Sequence, residues 1–212
     1  GREFIGGPAL LLAPAGKKET LFHGFFANPL VTGPSSARYR SSGGLRESND
    51  AGLILCNMAV WRKTFLASCG FDERLYPNEE NEWMARLQAD GHALWYDPDL
   101  AVRRPQRKKW GEFARTLIGY GRGRTRQARL SGRWDLLRQL PAFGLVLFLC
   151  AVIIKPLLAL TVGLLGWLGY TALVRLAPTS GPKLSLTAAM QAPALPLLYA
   201  VGQILGAFES TK

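Results

Sequence analysis

Acidic residues are scarce in this chain of 212 residues, where 15 Asp and Glu stand against 26 Lys and Arg, a formal net charge of +11. Cysteine is scarcer still. Cys56, Cys69 and Cys150 form no CxxC pair and have no histidine at ligand spacing, so neither a zinc site nor a disulfide framework is implied, and they read as reduced, buried thiols. The two histidines, His23 and His92, are isolated and read as structural. No charged-then-apolar leader opens the chain, so no signal peptide is visible, and the start at Gly1 reads as the C-terminal part of something longer. Charged residues reach only 19% against 48% hydrophobic, which departs from a simple soluble globule. The length suffices for one domain with a real core plus an appended segment.

The basic excess is local. From Arg103 to Arg138 there are 12 Lys and Arg and 2 Asp and Glu, a local charge of +10, while the rest of the chain is nearly balanced at 14 against 13. A basic block just ahead of an apolar run reads as a segment facing anionic lipid headgroups. Nucleic acid is the competing partner; aromatic interleaving is thin here and the following residues are hydrocarbon-like, so no nucleic-acid partner is expected.

Along the chain, Gly6-Gly7-Pro8 and residues 9–14 read as a turn and a short apolar strand, and 15–20 as a polar loop. Residues 21–31 carry Phe22, Phe25 and Phe26 at near-helical spacing, 33–50 lack periodicity and read as a long surface loop, and 51–60 are β-prone. A short helix is expected over 62–69, ended by Gly70. A second is expected over 81–89, with Trp83, Met84 and Leu87 on one face and Glu82 four residues before Arg86, stopped by Gly91. Residues 93–96 read as a strand and Asp97-Pro98 as a turn, which together imply an α/β domain.

Residues 110–138 are basic and amphipathic, with Trp110, Phe113, Leu117 and Tyr120 at three-and-four spacing, and are expected on the membrane surface. Two apolar runs follow, 141–177 and 186–208. Lys155-Pro156 near the middle of the first favours two tightly joined or partly re-entrant helices over one long span. With the basic block cytoplasmic, a hairpin would return Arg175 and Lys183 to the cytoplasm, and the last run would carry Lys212 outward.

The stretch from Gly70 through Phe71-Asp72-Glu73 and Asn78-Glu79-Glu80 to Arg86-Leu87, followed by Trp95-Tyr96-Asp97-Pro98, closely resembles the acceptor-side signature of family-two glycosyltransferases. There, Gly-Phe-Asp-Glu leads into Asn-Glu-Asp, an Arg-Leu helix and a Tyr-x-Pro strand. The resemblance extends upstream to Asn57-Met-Ala-Val-Trp-Arg62 and downstream to Tyr120-Gly-Arg-Gly-Arg124, a motif of exopolysaccharide-type members. It implies the acceptor-side half of a GT-A, Rossmann-like domain over residues 1–102, a basic membrane-surface segment over 103–140 and two to three transmembrane helices over 141–212. It implies an inverting transferase of the bacterial inner membrane, its catalytic domain cytoplasmic, moving sugar from a nucleotide-sugar donor to a lipid-linked or saccharide acceptor.

By the same resemblance the catalytic base falls on Glu80, where the family has Asp, with neighbouring Glu79 the other candidate. Asn57, Arg107, Arg122 and Arg124 fall on substrate-binding positions, the arginines suited to diphosphate oxygens. Thr116 replaces a family Gln. A divalent metal, Mg or Mn, is expected for the full enzyme with its ligands outside this chain: no Asp-x-Asp precedes Gly6-Gly7-Pro8, and Asp97-Pro98-Asp99 belongs to a different turn. Glu80 in place of Asp and the missing donor half also admit a non-catalytic, membrane-associated scaffold or degenerate pseudoglycosyltransferase.

Overall fold

The structure, a computed structural model, describes residues 2–132, 134, 136–176 and 184–209, with backbone only at 136–138. These residues are mostly helical with a small mixed sheet, and they fall into two compact units, residues 2–108 and residues 109–176 with 184–209.

The first unit runs β1 (Phe4–Gly6), β2 (Ala9–Leu11), α1 (Lys17–Ala27), α2 (Pro29–Thr32), a 3-10 turn (Gly33–Tyr39), β3 (Arg46–Ser48), a 3-10 turn (Leu55–Asn57), β4 (Met58–Val60), α3 (Arg62–Ala67), a 3-10 turn (Glu73–Leu75), α4 (Glu79–Ala89), β5 (Leu94–Tyr96) and β6 (Val102–Arg104). Four strands form one sheet in the order β3-β5-β1-β4, with β1 parallel to β5 and both edges antiparallel, while β2 and β6 pair in parallel. An expected boundary after residue 102 would part β6 from β2; the unit instead extends to Lys108.

Strand alternation sends Phe4, Leu94 and Tyr96 inward, where they meet Leu53 and the apolar face of α4, namely Trp83, Met84 and Leu87. Helix α1 starts four residues ahead of the expected apolar run, because the Glu19 carboxylate accepts the Gly16 N–H at 3.0 Å and closes the first turn. Its Phe22, Phe25 and Phe26 are buried, as their spacing predicts. Two expectations are corrected. The 33–50 loop contains a 3-10 turn and β3, and the 51–60 strand is reduced to Met58–Val60, since Leu55–Asn57 turns before the chain can pair. The three cysteines, expected buried, are all exposed.

The second unit comprises α5 (Trp110–Ser131), α6 (Leu136–Ile154), α7 (Pro156–Leu176), α8 (Leu186–Gln191) and α9 (Ala194–Phe208). Helix α5 ends at Gly132 in the left-handed region, φ 67°. Two segments are long and apolar enough to cross a membrane, Pro156–Leu176 and Leu186–Phe208, and Gln139–Ile154 is a shorter apolar helix. The 141–177 run breaks at Lys155-Pro156 as expected. The Phe148 ring of α6 fills the space above Gly163 of α7, where a Cβ would come within 2.8 Å, so the two helices fold back on each other.

Helix α5 packs backbone to backbone along α9. A Cβ on Gly121 would meet Tyr199 O at 2.1 Å, one on Gly202 would meet Ile118 O at 2.1 Å, and one on Gly206 would meet Arg122 O at 2.8 Å. Only glycine permits such an approach, the small-xxx-small packing used between apolar helices. The buried amide of Gln203 donates to Gln139 Oε1 at 2.9 Å, tying α9 to α6. Lys183 and Lys212, on which the expected topology drew, lie outside the described residues.

Candidate active site

The acidic pair Glu79-Glu80 sits on the first turn of α4, and two devices aim that turn. Behind it, α3 ends through Cys69 (φ 58°) and Gly70 (φ 60°), the Gly70 N–H reaching Phe65 O at 3.1 Å; a Cβ on Gly70 would collide with the Phe65 ring at 2.9 Å. Arg86 of α4 staples this corner, donating to Ser68 O and, at 2.8 Å, to Gly70 O while pairing with Glu82 at 3.1 Å. The Trp83 indole N–H donates to Ser68 Oγ at 2.7 Å, and Phe65 and Phe71 stand edge-on to its ring. Asp72 caps the turn that follows, accepting from Arg74 N at 3.1 Å; the Arg74 side-chain hydrogen bonds hold its carboxyl below the usual carboxylate range.

On either side of the pair, Asn78 and Asn81 are buried and joined, Asn81 Nδ2 donating to Asn78 Oδ1 at 2.8 Å and more weakly to Glu80 Oε1 at 3.4 Å. Asn81 Oδ1 accepts in turn from Arg38, whose guanidinium also reaches Ala51 O at 2.7 Å and Asp50 O. Arg38 and the buried Asp50 escaped the sequence reading because both lie in or beside the stretch read as loop. The signal that could have found them is an acid set immediately before the apolar Ala51-Gly52-Leu53-Ile54. Glu79 presents an unusual group: its Oε2 is buried and has no hydrogen-bond partner among the described residues.

The other sequence-predicted residues are placed elsewhere. Asn57 is a brace: its Nδ2 donates to Pro8 O at 3.0 Å and Leu100 O at 2.6 Å, tying the turn after β1 to the turn after β5. The same crossing needs Gly7, where a Cβ would stand 2.5 Å from Leu100 O and 2.7 Å from Asp97 O. Arg107 donates to Gln106 Oε1 at 3.0 Å. Arg122 and Arg124 belong to the second unit, Arg122 pairing with Glu209 at 3.4 Å and Arg124 donating to Gln127 at 3.1 Å. His92 Nδ1 lies 3.1 Å from Glu3 Oε2.

Among the described residues no three of His, Cys, Asp and Glu converge to hold a metal. Asp97 Oδ1 accepts the Asp99 N–H at 3.0 Å and so closes its own turn. No family model, curated protein or solved structure matches the chain.

Proposed function

We propose that the chain is the acceptor-side half of a GT-A, family-two glycosyltransferase, in which a carboxylate on the first turn of α4 takes the proton from an acceptor hydroxyl as that oxygen attacks the anomeric carbon of a nucleotide-activated sugar. The observation that supports this reading is the pair Glu79-Glu80 at a helix amino end, braced by Asn78, Asn81 and Arg38. One carboxylate suffices for this chemistry because the nucleotide diphosphate supplies the leaving group, so the second acid that glycosidases need has no role. Glu80 is the base assigned by motif. Glu79, with its unpartnered buried oxygen, is the rival within the same turn.

On this reading the second unit holds the enzyme at a bacterial inner membrane with the catalytic unit in the cytoplasm, where a lipid-linked acceptor would be met. Two helices of sufficient length and apolarity and the basic stretch of α5 support it.

The test uses the intact protein with its donor-binding part. Glu80→Gln keeps the side chain's size and removes its basicity, so sugar transfer is expected to fall at least 100-fold, roughly the lower contribution of general-base catalysis, while donor binding by calorimetry persists. Near wild-type turnover of Glu80→Gln beside a dead Glu79→Gln would move the base one residue earlier. Full activity in both variants would sink the enzyme reading in favour of the non-catalytic scaffold.

A further inference from the structure

The segment Leu186–Phe208, α8 with α9, is long and apolar enough to cross a membrane, yet the partner of α9 tells against a crossing. Contacts advance in step along both helices, from Ile118 with Gly202 to Arg122 with Gly206 and on to Arg126 with Glu209, so α5 and α9 run parallel. The carboxyl half of α9 is therefore flanked by the arginines of α5. Arg122 and Arg126 both pair with Glu209, and Arg129 donates to Gly206 O at 3.2 Å and Glu209 O at 2.6 Å. A crossing α9 would draw these guanidinium groups into hydrocarbon, where such groups are rare and costly.

Helix α9 also turns a single exposed stripe outward, Leu197, Val201, Leu205 and Phe208, at spacings of four, four and three. The exposed surface of the other pair is apolar, with Ile153 82%, Ile154 72% and Leu157 83% exposed around the Lys155 corner.

Resting on the membrane part of the proposed function, we infer that α5 and α9 form a parallel pair lying in one bilayer interface, the α9 stripe facing the acyl chains and the α5 arginines the anionic headgroups. Only the α6–α7 hairpin is inserted, with Lys155 at its far tip. The carboxyl end of α9 then stays on the same side as the arginines, contrary to the outward crossing expected from the sequence.

The experiment uses the full chain in membrane vesicles of known sidedness. A protease-cleavable tag appended after Lys212 of the unsubstituted chain reports its side. Ser131→Cys and Lys155→Cys, each in a background with Cys56, Cys69 and Cys150 replaced, are challenged with an impermeant maleimide. The expected result is the tag and Ser131→Cys reactive on one face and Lys155→Cys on the other. A tag on the face opposite Ser131→Cys overturns the interfacial pair, and Lys155→Cys reacting from the Ser131 face overturns the inserted hairpin. A chain recovered wholly in the soluble fraction removes the membrane reading itself. The transfer assay of Glu80→Gln bears on the catalytic reading independently of all three.

Discussion

Glu79 and Glu80 are adjacent in sequence yet differently placed. Glu80 has the Asn81 amide within 3.4 Å, while Glu79 keeps one oxygen buried without a partner. A motif can locate such a pair, because acidic residues at a helix start are visible in sequence, but it cannot say which one the fold leaves unsatisfied; that depends on Arg38, more than 40 positions earlier. Asn57 shows the converse. Its neighbours match a binding motif, while its amide is spent on two main-chain carbonyls, a role invisible without the turn it bridges. His23 supplies a residue-scale prediction. Burial pushes its imidazole below the ordinary histidine value of 6.5, partly opposed by a backbone hydrogen bond to Tyr39, so the folded state favours the neutral ring. Its contribution is therefore fully present above pH 6.5 and is lost as pH falls through 6.5 toward the lowered folded value. Tm measured from pH 7.5 to 5 should drop less steeply in His23→Gln than in the parent chain; parallel curves would refute it.

At the scale of elements, long periodic segments were legible and short ones were not. Helix α4 was visible through Trp83, Met84 and Leu87 and through the Glu82–Arg86 pair, all of which recur in the structure. β1, by contrast, is three residues long and central to its sheet, and it gives no alternation to detect. The α5–α9 contact was hidden for another reason: glycines in a helix read as weak helix formers, and their use becomes evident only when a second backbone lies against them. This sets opposite expectations for two glycines. Gly202→Ala places a methyl against Ile118 O and should cost about 1–3 kcal/mol. Gly119 of α5 has nothing within 4 Å of an added Cβ, so Gly119→Ala should stabilise by about 0.5–1 kcal/mol. Thermal unfolding in detergent separates the two, and equal shifts of the same sign would show that α5 and α9 do not meet as described.

For the whole molecule, the division into a mixed-sheet unit and a helical unit follows the change from balanced to basic and then apolar composition, which made the division legible. The exact limit at Lys108 depended on the β2–β6 pairing, a long-range contact between residues with no shared local pattern. Charge distribution alone also leaves out a contact that bears on the last helix, because the positive-inside rule counts charges without the pairing of Glu209 with Arg122 and Arg126. A binding prediction belongs here. With Asp97 closing its own turn and no metal cluster among the described residues, residues 1–212 alone should show no calorimetric heat with uridine or guanosine diphosphate sugars plus manganese. Low-micromolar binding would relocate the donor site into this chain.

The α5–α9 contact also imposes an order in time. Ile118 leaves the ribosome about 80 residues before Gly202, roughly 4–16 s at ordinary rates of synthesis. Throughout that interval the glycine face of α5 lacks α9, and α6 and α7 are made first. The last helix then closes onto a waiting surface, so the arginine clasp on Glu209 is a step that completes after synthesis has passed it, and any nascent chain halted before Gly202 would expose α5 bare.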